Sequence, residues 1–139
     1  MFTLVKERLQ GEVTLVLENG AVQIVSHKRG VEPLLDLLDT QADFSEFVAG
    51  DKIVGRAAAM LYVRLHLSGV YARVMTAAAK AILDEYGIPN EWYCLTDRIV
   101  NREGTDICPM ERAVENIFDP EQAERAIRAE FARRTGNAQ

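Results

Sequence analysis

The 139-residue chain is poor in the residues from which small proteins build cross-links and metal centres. It contains two cysteines, Cys94 and Cys108, and two histidines, His27 and His66. Two cysteines are too few for a disulfide framework, and no paired spacing typical of metal ligands is present. The sequence therefore predicts reduced thiols, no metal and no cofactor, with a single Cys94–Cys108 bridge as the alternative.

Long apolar runs and an excess of positive charge are also missing. No apolar run reaches the length that spans a membrane, and the N-terminus lacks the three regions of a signal peptide. The net charge of −5 argues against a general nucleic-acid binder, because neutralising phosphates requires a clustered basic face. We therefore expect a cytoplasmic protein that binds neither a membrane nor a nucleic acid.

The composition that remains is that of a globular domain. Hydrophobic residues make up 48% of the chain and charged residues 27%, and the length is sufficient to bury a core. We predict one domain over residues 1–139, with its core over residues 11–118 and a charged C-terminal helix and tail over residues 119–139. The apolar stripe of that helix is thin, which favours a mostly exposed or loosely docked appendage. The stripe consists of Ala123, Ile127 and Phe131.

Apolar periodicity predicts a mixed order of strands and helices. Asn19-Gly20 lies between two alternating segments and predicts a β-hairpin with a type I′ turn, since both central residues of that turn need positive φ. Helices are predicted over residues 3–10, 30–38, 77–86, 109–114 and 121–134, and strands over residues 70–75 and 91–95, with a further edge at residues 99–100. This order predicts an α/β fold with three α-β-α layers and a mixed sheet of about five strands.

The stretch from Phe47 to Leu67 is the centre of this pattern. It predicts a short buried strand, a tight polar turn at Gly50-Asp51-Lys52, and a helix that is apolar on almost every side. Asp51 and Lys52 fall where the strand passes to the helix, a common place for α/β folds to hold ligands. The alternative is that Asp51 only caps the helix and Lys52 is solvated.

A second helix start completes the predicted crevice. Thr76 has the position and chemistry of an N-cap for the helix that follows it. Two helix N-termini directed into one crevice, near Asp51-Lys52 and Thr76, would offer free N–H groups to a phosphate or another anion.

Four later residues are further candidates for ligand binding, each with a structural alternative. Cys108 is either a thiol made acidic by a helix N-terminus or a small buried cap. Glu111 is either a catalytic carboxylate or the capping-box partner of Cys108. Asn101 and Arg102 could anchor an anion or simply form a polar turn.

Several segments together resemble a small prokaryotic domain family of unknown function. They are the Leu-Glu-Asn-Gly hairpin, Pro-Leu-Leu-Asp-Leu-Leu, Asp-Lys-Ile-Val-Gly-Arg-Ala-Ala-Ala, Gly-Val-Tyr-Ala, and Asn-Arg-Glu-Gly-Thr-Asp-Ile-Cys-Pro-Met-Glu. The resemblance runs from about Gly11 to Phe118 and leaves out the last helix. It implies a cytidine-deaminase-like fold, the fold assigned to that family.

The zinc chemistry of deaminases can be tested on the residues themselves. Zinc deaminases carry [HC]-x-E at the start of one helix and P-C-x-x-C at the start of the next. The corresponding starts here, at residues 53–56 and 76–80, contain no ligand and no glutamate. Gly55 stands where the catalytic glutamate would have to be, so we expect no zinc-dependent deamination.

The sequence thus favours a domain that binds a nucleotide-like small molecule or another anion. One alternative is a metal-independent enzyme that uses Cys108 or Asp51. Another is a structural or protein-interaction domain whose charged terminal helix makes the contact. The catalytic residues are left unknown and the oligomeric state open, with a homo-oligomer among the alternatives.

Overall fold

A computed structural model describes residues 1–98 and 108–136 of the chain. It has five strands, β1 to β5, and six helices, α1 to α6, in a mixed order. The strands are Leu15–Glu18, Gln23–Ser26, Val48–Val54, Gly69–Thr76 and Asn90–Thr96. The helices are Thr3–Arg8, Glu32–Thr40, Arg56–Leu65, Ala77–Glu85, Pro109–Val114 and Pro120–Thr135. None of the helices in the described ranges has both the length and the apolar character needed to cross a membrane.

The five strands form one mixed sheet in the order β2-β1-β3-β4-β5. The β1 strand is antiparallel to both β2 and β3, whereas β3, β4 and β5 run parallel. Parallel neighbours need a crossover, and α3 and α4 supply the two that are required. The predicted α/β class and five-stranded mixed sheet are confirmed. The predicted edge at residues 99–100 lies outside the described residues.

The hairpin is confirmed, but its turn differs from the prediction. Glu18 pairs with Gln23, so four residues connect the strands instead of two. The side chain of Asn19 accepts hydrogen bonds from the N–H groups of Ala21 (2.9 Å) and Val22 (2.7 Å). These bonds hold the loop as an Asx turn, in which only Gly20 has positive φ.

The two faces of the sheet are covered unequally. The larger core lies between the sheet and helices α2 to α6, and it includes the buried helix α3, whose residues 57–63 and Leu65 are all buried. The smaller core lies under α1 on the other face, where Phe2, Val5 and Leu9 pack over the strands. Helices on both faces give the three layers that the sequence predicted.

Helix α6 belongs to the larger core. Ala123 and Ile127 are fully buried there, and Arg64 of α3 forms an ion pair with Glu124 (2.8 Å). The expectation of a loosely docked appendage is therefore wrong. A thin stripe is sufficient here because Ala123 and Ile127 enter a core to which the buried apolar residues of α3 also belong.

Gly50 allows the close approach of α1 to β3. A Cβ atom at Gly50 would lie 2.8 Å from the Cβ atom of Val5 and 3.2 Å from its backbone oxygen. A Cβ atom at Gly69, under the same helix, would mainly meet the side-chain ends of Met1 and Phe2. We predict that Gly50→Ala lowers the free energy of unfolding by about 2 kcal/mol, because backbone must move, and that Gly69→Ala costs clearly less. Urea unfolding of both variants measures this difference, and equal costs would contradict it.

Candidate functional site

A cavity among the described residues opens where β3 ends and where α3 and α5 begin. Its volume is about 670 Å³, which is within the range of small-molecule sites. The walls come from six places in the chain: the residue before β1, the end of β3, the start of α3, the segment that leads into and begins α2, the start of α5, and the end of α6. The lining residues include Thr14, Arg29, Gly30, Val31, Pro33, Asp51, Lys52, Ile53, Gly55, Ala57, Ala58, Cys108, Pro109, Met110, Glu111 and Arg134.

Asp51 is an ionisable lining residue beside the buried core, and we call its place the inner end of the cavity. Its Oδ2 atom accepts a hydrogen bond from the hydroxyl of Tyr62 (2.6 Å), and its Oδ1 atom lies 3.4 Å from the N–H of Ile53. The Asp51 side chain keeps part of its surface at the cavity, whereas Tyr62 is fully buried in α3. The pair thus joins the cavity surface to the larger core.

Burial changes the proton affinity of both members of this pair. Desolvation raises the pKa of Asp51 to about 7, against the opposing effect of the hydrogen bonds from Tyr62 and from backbone N–H groups. Burial, together with the nearby Asp51 charge, raises the pKa of Tyr62 well above its usual value. Tyr62 is therefore a permanent donor near neutral pH, while Asp51 changes charge there.

The predicted turn at Gly50-Asp51-Lys52 does not exist, because β3 runs through these residues to Val54. Successive side chains of a strand point to opposite faces, so Asp51 and Lys52 separate. Asp51 faces α3, whereas the Nζ atom of Lys52 donates to the carbonyl of Gly11 beyond α1 (2.6 Å). The two residues do not form a joint cradle, and Asp51 is not an N-cap, since Gly55 has that position in α3.

Glu111 occupies the N-terminus that was predicted to receive an anion. Its two carboxylate oxygens accept hydrogen bonds from the N–H groups of Arg56 (2.7 Å) and Ala57 (2.8 Å). Gly55 has no side chain with which to cap α3, so a carboxylate from α5 satisfies these donors. The predicted capping box with Cys108 is wrong for this reason.

Arg56 strengthens the same connection from the α3 side. Its guanidinium donates to the carbonyls of Val114 (2.9 Å) and Ile117, and it lies 4.9 Å from the ring centre of Phe118. Reciprocal bonds from Glu111 and Arg56 thus hold α5 against the start of α3. We call this pair of interactions the α3–α5 clasp.

Of the other predicted site residues, Cys108 lines the cavity and Thr76 does not. Thr76 is the predicted N-cap of α4, with its hydroxyl accepting from the N–H of Ala79 (3.1 Å), but it is buried and is not part of the cavity lining. Cys108 is the first residue before α5, is partly exposed and lines the cavity. Asn101 and Arg102 lie outside the described residues.

Three residues of the site were missed from sequence. Tyr62 could have been found, because a hydroxyl on a helix apolar on all sides needs a buried partner. Arg29 and Arg134 have exposed side chains that line the cavity, and they come from opposite ends of the chain. Their convergence depends on the packing of α6, which no local pattern indicates.

Comparison with known proteins gives a family and a related fold. The family described as TM1506, a domain of unknown function (DUF1893), matches residues 4–131, which include most of the helix that the resemblance left out. The crystal structure of a DUF1893 family protein (TM1506) from Thermotoga maritima, at 2.70 Å resolution, matches with a TM-score of 0.79 and 22% identity. The match covers 95% of this chain and 86% of that chain. No curated protein matches.

Proposed function

The chain belongs to the DUF1893 family, a domain family of unknown function, and we propose from its cavity that it binds a small organic, nucleotide-like molecule. The observation that carries this proposal is the cavity of about 670 Å³ with the Asp51–Tyr62 pair at its inner end. A largely apolar cleft with a few convergent polar groups and an ionisable group of altered pKa is the usual form of a ligand site.

The cytidine-deaminase-like fold is a further part of the proposal. It is supported by the order of hairpin, strand and crossover helices and by the quoted segments of the sequence. Zinc-dependent deamination is not proposed, because the starts of α3 and α4 carry Gly55 and Thr76 instead of metal ligands. No group of three metal-binding side chains occurs among the residues that the structure describes.

Ligand screening by thermal unfolding tests the proposal directly. Nucleosides and nucleoside mono-, di- and triphosphates are added in excess, and at least one is expected to raise the Tm. A ligand at 100 times its Kd adds about 2.7 kcal/mol to the free energy of unfolding, a readily measured shift. If no member of this panel raises the Tm, the proposal is contradicted.

A pair of matched variants links any binding to the cavity. Ala58 lines the cavity, so Ala58→Leu places three further carbon atoms inside it. Ala129 is exposed on α6, so Ala129→Leu makes the same change away from the site. Isothermal titration should show binding lost in the first variant and kept in the second. Equal affinities in both would place the ligand elsewhere on the protein.

A second candidate function is metal-independent catalysis. It is favoured by one observation, that Cys108 and Asp51 line the same cavity. A nucleophilic Cys108 is expected to react with iodoacetamide at pH 7 faster than the exposed Cys94, which serves as an internal reference. Mass spectrometry after limited labelling gives both rates, and a Cys108 slower than Cys94 removes this candidate.

The structural or interaction alternative has less support. It relied on the last helix as a contact surface, but the apolar residues Ala123 and Ile127 of that helix are buried within the chain.

A further inference from the structure

The inner end of the cavity offers acceptors to a ligand. The carboxylate of Asp51 accepts one bond from Tyr62 and a long one from the backbone, which leaves lone pairs on both oxygens. Lys52 and the start of α3, the donors predicted to hold an anion, already have partners. Lys52 donates a hydrogen bond to the carbonyl of Gly11 on the other side of the sheet. The first N–H groups of α3 donate to the carboxylate of Glu111.

The outer end of the same cavity offers positive charge. Arg29 and Arg134 both line it, and both side chains are exposed to solvent. Arg134 has one acidic contact, 3.7 Å from Glu130, and Arg29 makes no ion pair with any residue of the described ranges. Arginine presents several N–H donors in a planar arrangement that suits phosphate and carboxylate groups.

The walls between these ends are mostly apolar or small. Val31, Pro33, Ala57, Ala58 and Met110 are among the lining residues, which also include Thr14, Cys108 and the already hydrogen-bonded Glu111. Alanine side chains leave room for a flat ring to approach helix α3, and the methionine can adapt to its shape.

We propose that the ligand is a nitrogen heterocycle that directs its N–H groups to Asp51 and its anionic group to Arg29 and Arg134. This inference rests on the proposed function and adds the class and orientation of the ligand. It also differs from the expectation from sequence, in which two helix N-termini and Lys52 held the anion.

Guanosine and inosine monophosphates are the matched pair that tests the inner contact. They differ only in one amino group, so guanine offers two adjacent N–H donors where hypoxanthine offers one. At pH 8, where Asp51 is mostly ionised, guanosine monophosphate should bind ten times or more tighter, because both carboxylate oxygens can then accept a bond. Asp51→Asn should abolish this preference, since an amide presents one acceptor beside one donor.

The outer contact has its own test. The nucleoside that lacks the phosphate should bind at least five times more weakly than the monophosphate, and this difference should shrink in Arg29→Gln/Arg134→Gln. Arg125→Gln is the control, because Arg125 lies on the same helix, pairs with Glu121 and does not line the cavity. Thermal unfolding of each variant without nucleotide confirms that it is folded.

The outcomes separate the two proposals. If no member of the nucleoside and nucleotide panel binds, the proposed function is contradicted and the inference with it. Equal affinity for guanosine and inosine monophosphates, or a preference that survives Asp51→Asn, overturns the inference alone. A phosphate contribution unchanged by the double arginine variant overturns the proposed orientation.

Discussion

Asp51→Asn is expected to raise the free energy of unfolding at pH 8 by roughly 2 to 4 kcal/mol and to leave it nearly unchanged at pH 4. Desolvation raises the pKa of Asp51 to about 7, so the charged form is the one that the folded protein disfavours. Asparagine has the same shape, can still accept the bond from Tyr62 and carries no charge. The lower part of the range applies because Asp51 is only partly buried, and the remaining solvent contact reduces the cost of its charge.

The direction of the pH dependence follows from proton binding. Between pH 4 and pH 7 the folded protein holds a proton on Asp51 that the unfolded chain has lost. The free energy of unfolding contributed by this group is therefore fully present below pH 4, falls as the pH rises towards 7, and is lost above that value. Only the wild-type protein should show this fall, because the variant has no group to titrate at this position.

Urea unfolding at several pH values between 4 and 8 measures the effect. Asp36→Asn is a suitable control, because Asp36 is an exposed carboxylate paired with Lys28 at the surface. Tyr62→Phe removes a donor that lowers the pKa of Asp51, so the fall in stability should extend to higher pH. An Asp51→Asn variant less stable than wild type at pH 8 would contradict the prediction, because it would show that the charged Asp51 does not destabilise the folded protein.

Glu111→Ala is expected to lower the free energy of unfolding by roughly 2 to 4 kcal/mol. The change removes two charge-assisted hydrogen bonds to the start of α3 and leaves the N–H groups of Arg56 and Ala57 without their partner. Glu111→Gln should cost about half as much, because an amide keeps one acceptor oxygen and loses the other. Both values can be read from urea unfolding at pH 7.

Glu115→Gln provides the comparison for this effect. Glu115 follows the same short helix and is exposed, so its substitution should change stability by less than about 0.5 kcal/mol. If Glu111→Ala behaved like Glu115→Gln, the carboxylate would not be an effective cap, and the start of α3 would be available to an anionic ligand.

Three elements whose structure depends on residues adjacent in sequence were predicted correctly. The Asn19-Gly20 hairpin, the apolar helix α3 and the Thr76 cap each follow from neighbouring residues, and each is found. The turn at Gly50-Asp51-Lys52 was predicted from polar residues in an apolar stretch. The strand continues instead, because its polar side chains find partners on opposite faces of the sheet.

The site itself depends on contacts between distant parts of the chain. Glu111 is 55 residues from Arg56, and a capping box within its own helix was the simpler interpretation of its position. Glu111 does not form that capping box because its carboxylate accepts from the N–H groups at the start of α3. Gly55, at the N-cap of α3, has no side chain that could accept from these groups. Asp51 was identified as a candidate from its place in the chain, but its altered pKa depends on Tyr62 and the surrounding core.

The α3–α5 clasp has a consequence for the energetics of recognition. One wall of the cavity is α5, and it is tied to α3 entirely by groups of the chain itself, through Glu111 and Arg56. The conformational entropy of ordering α5 is therefore lost when the protein folds. Binding of a ligand in the cavity does not have to order α5 a second time. Such preorganisation removes one of the entropic costs that would otherwise weaken the binding of a small ligand.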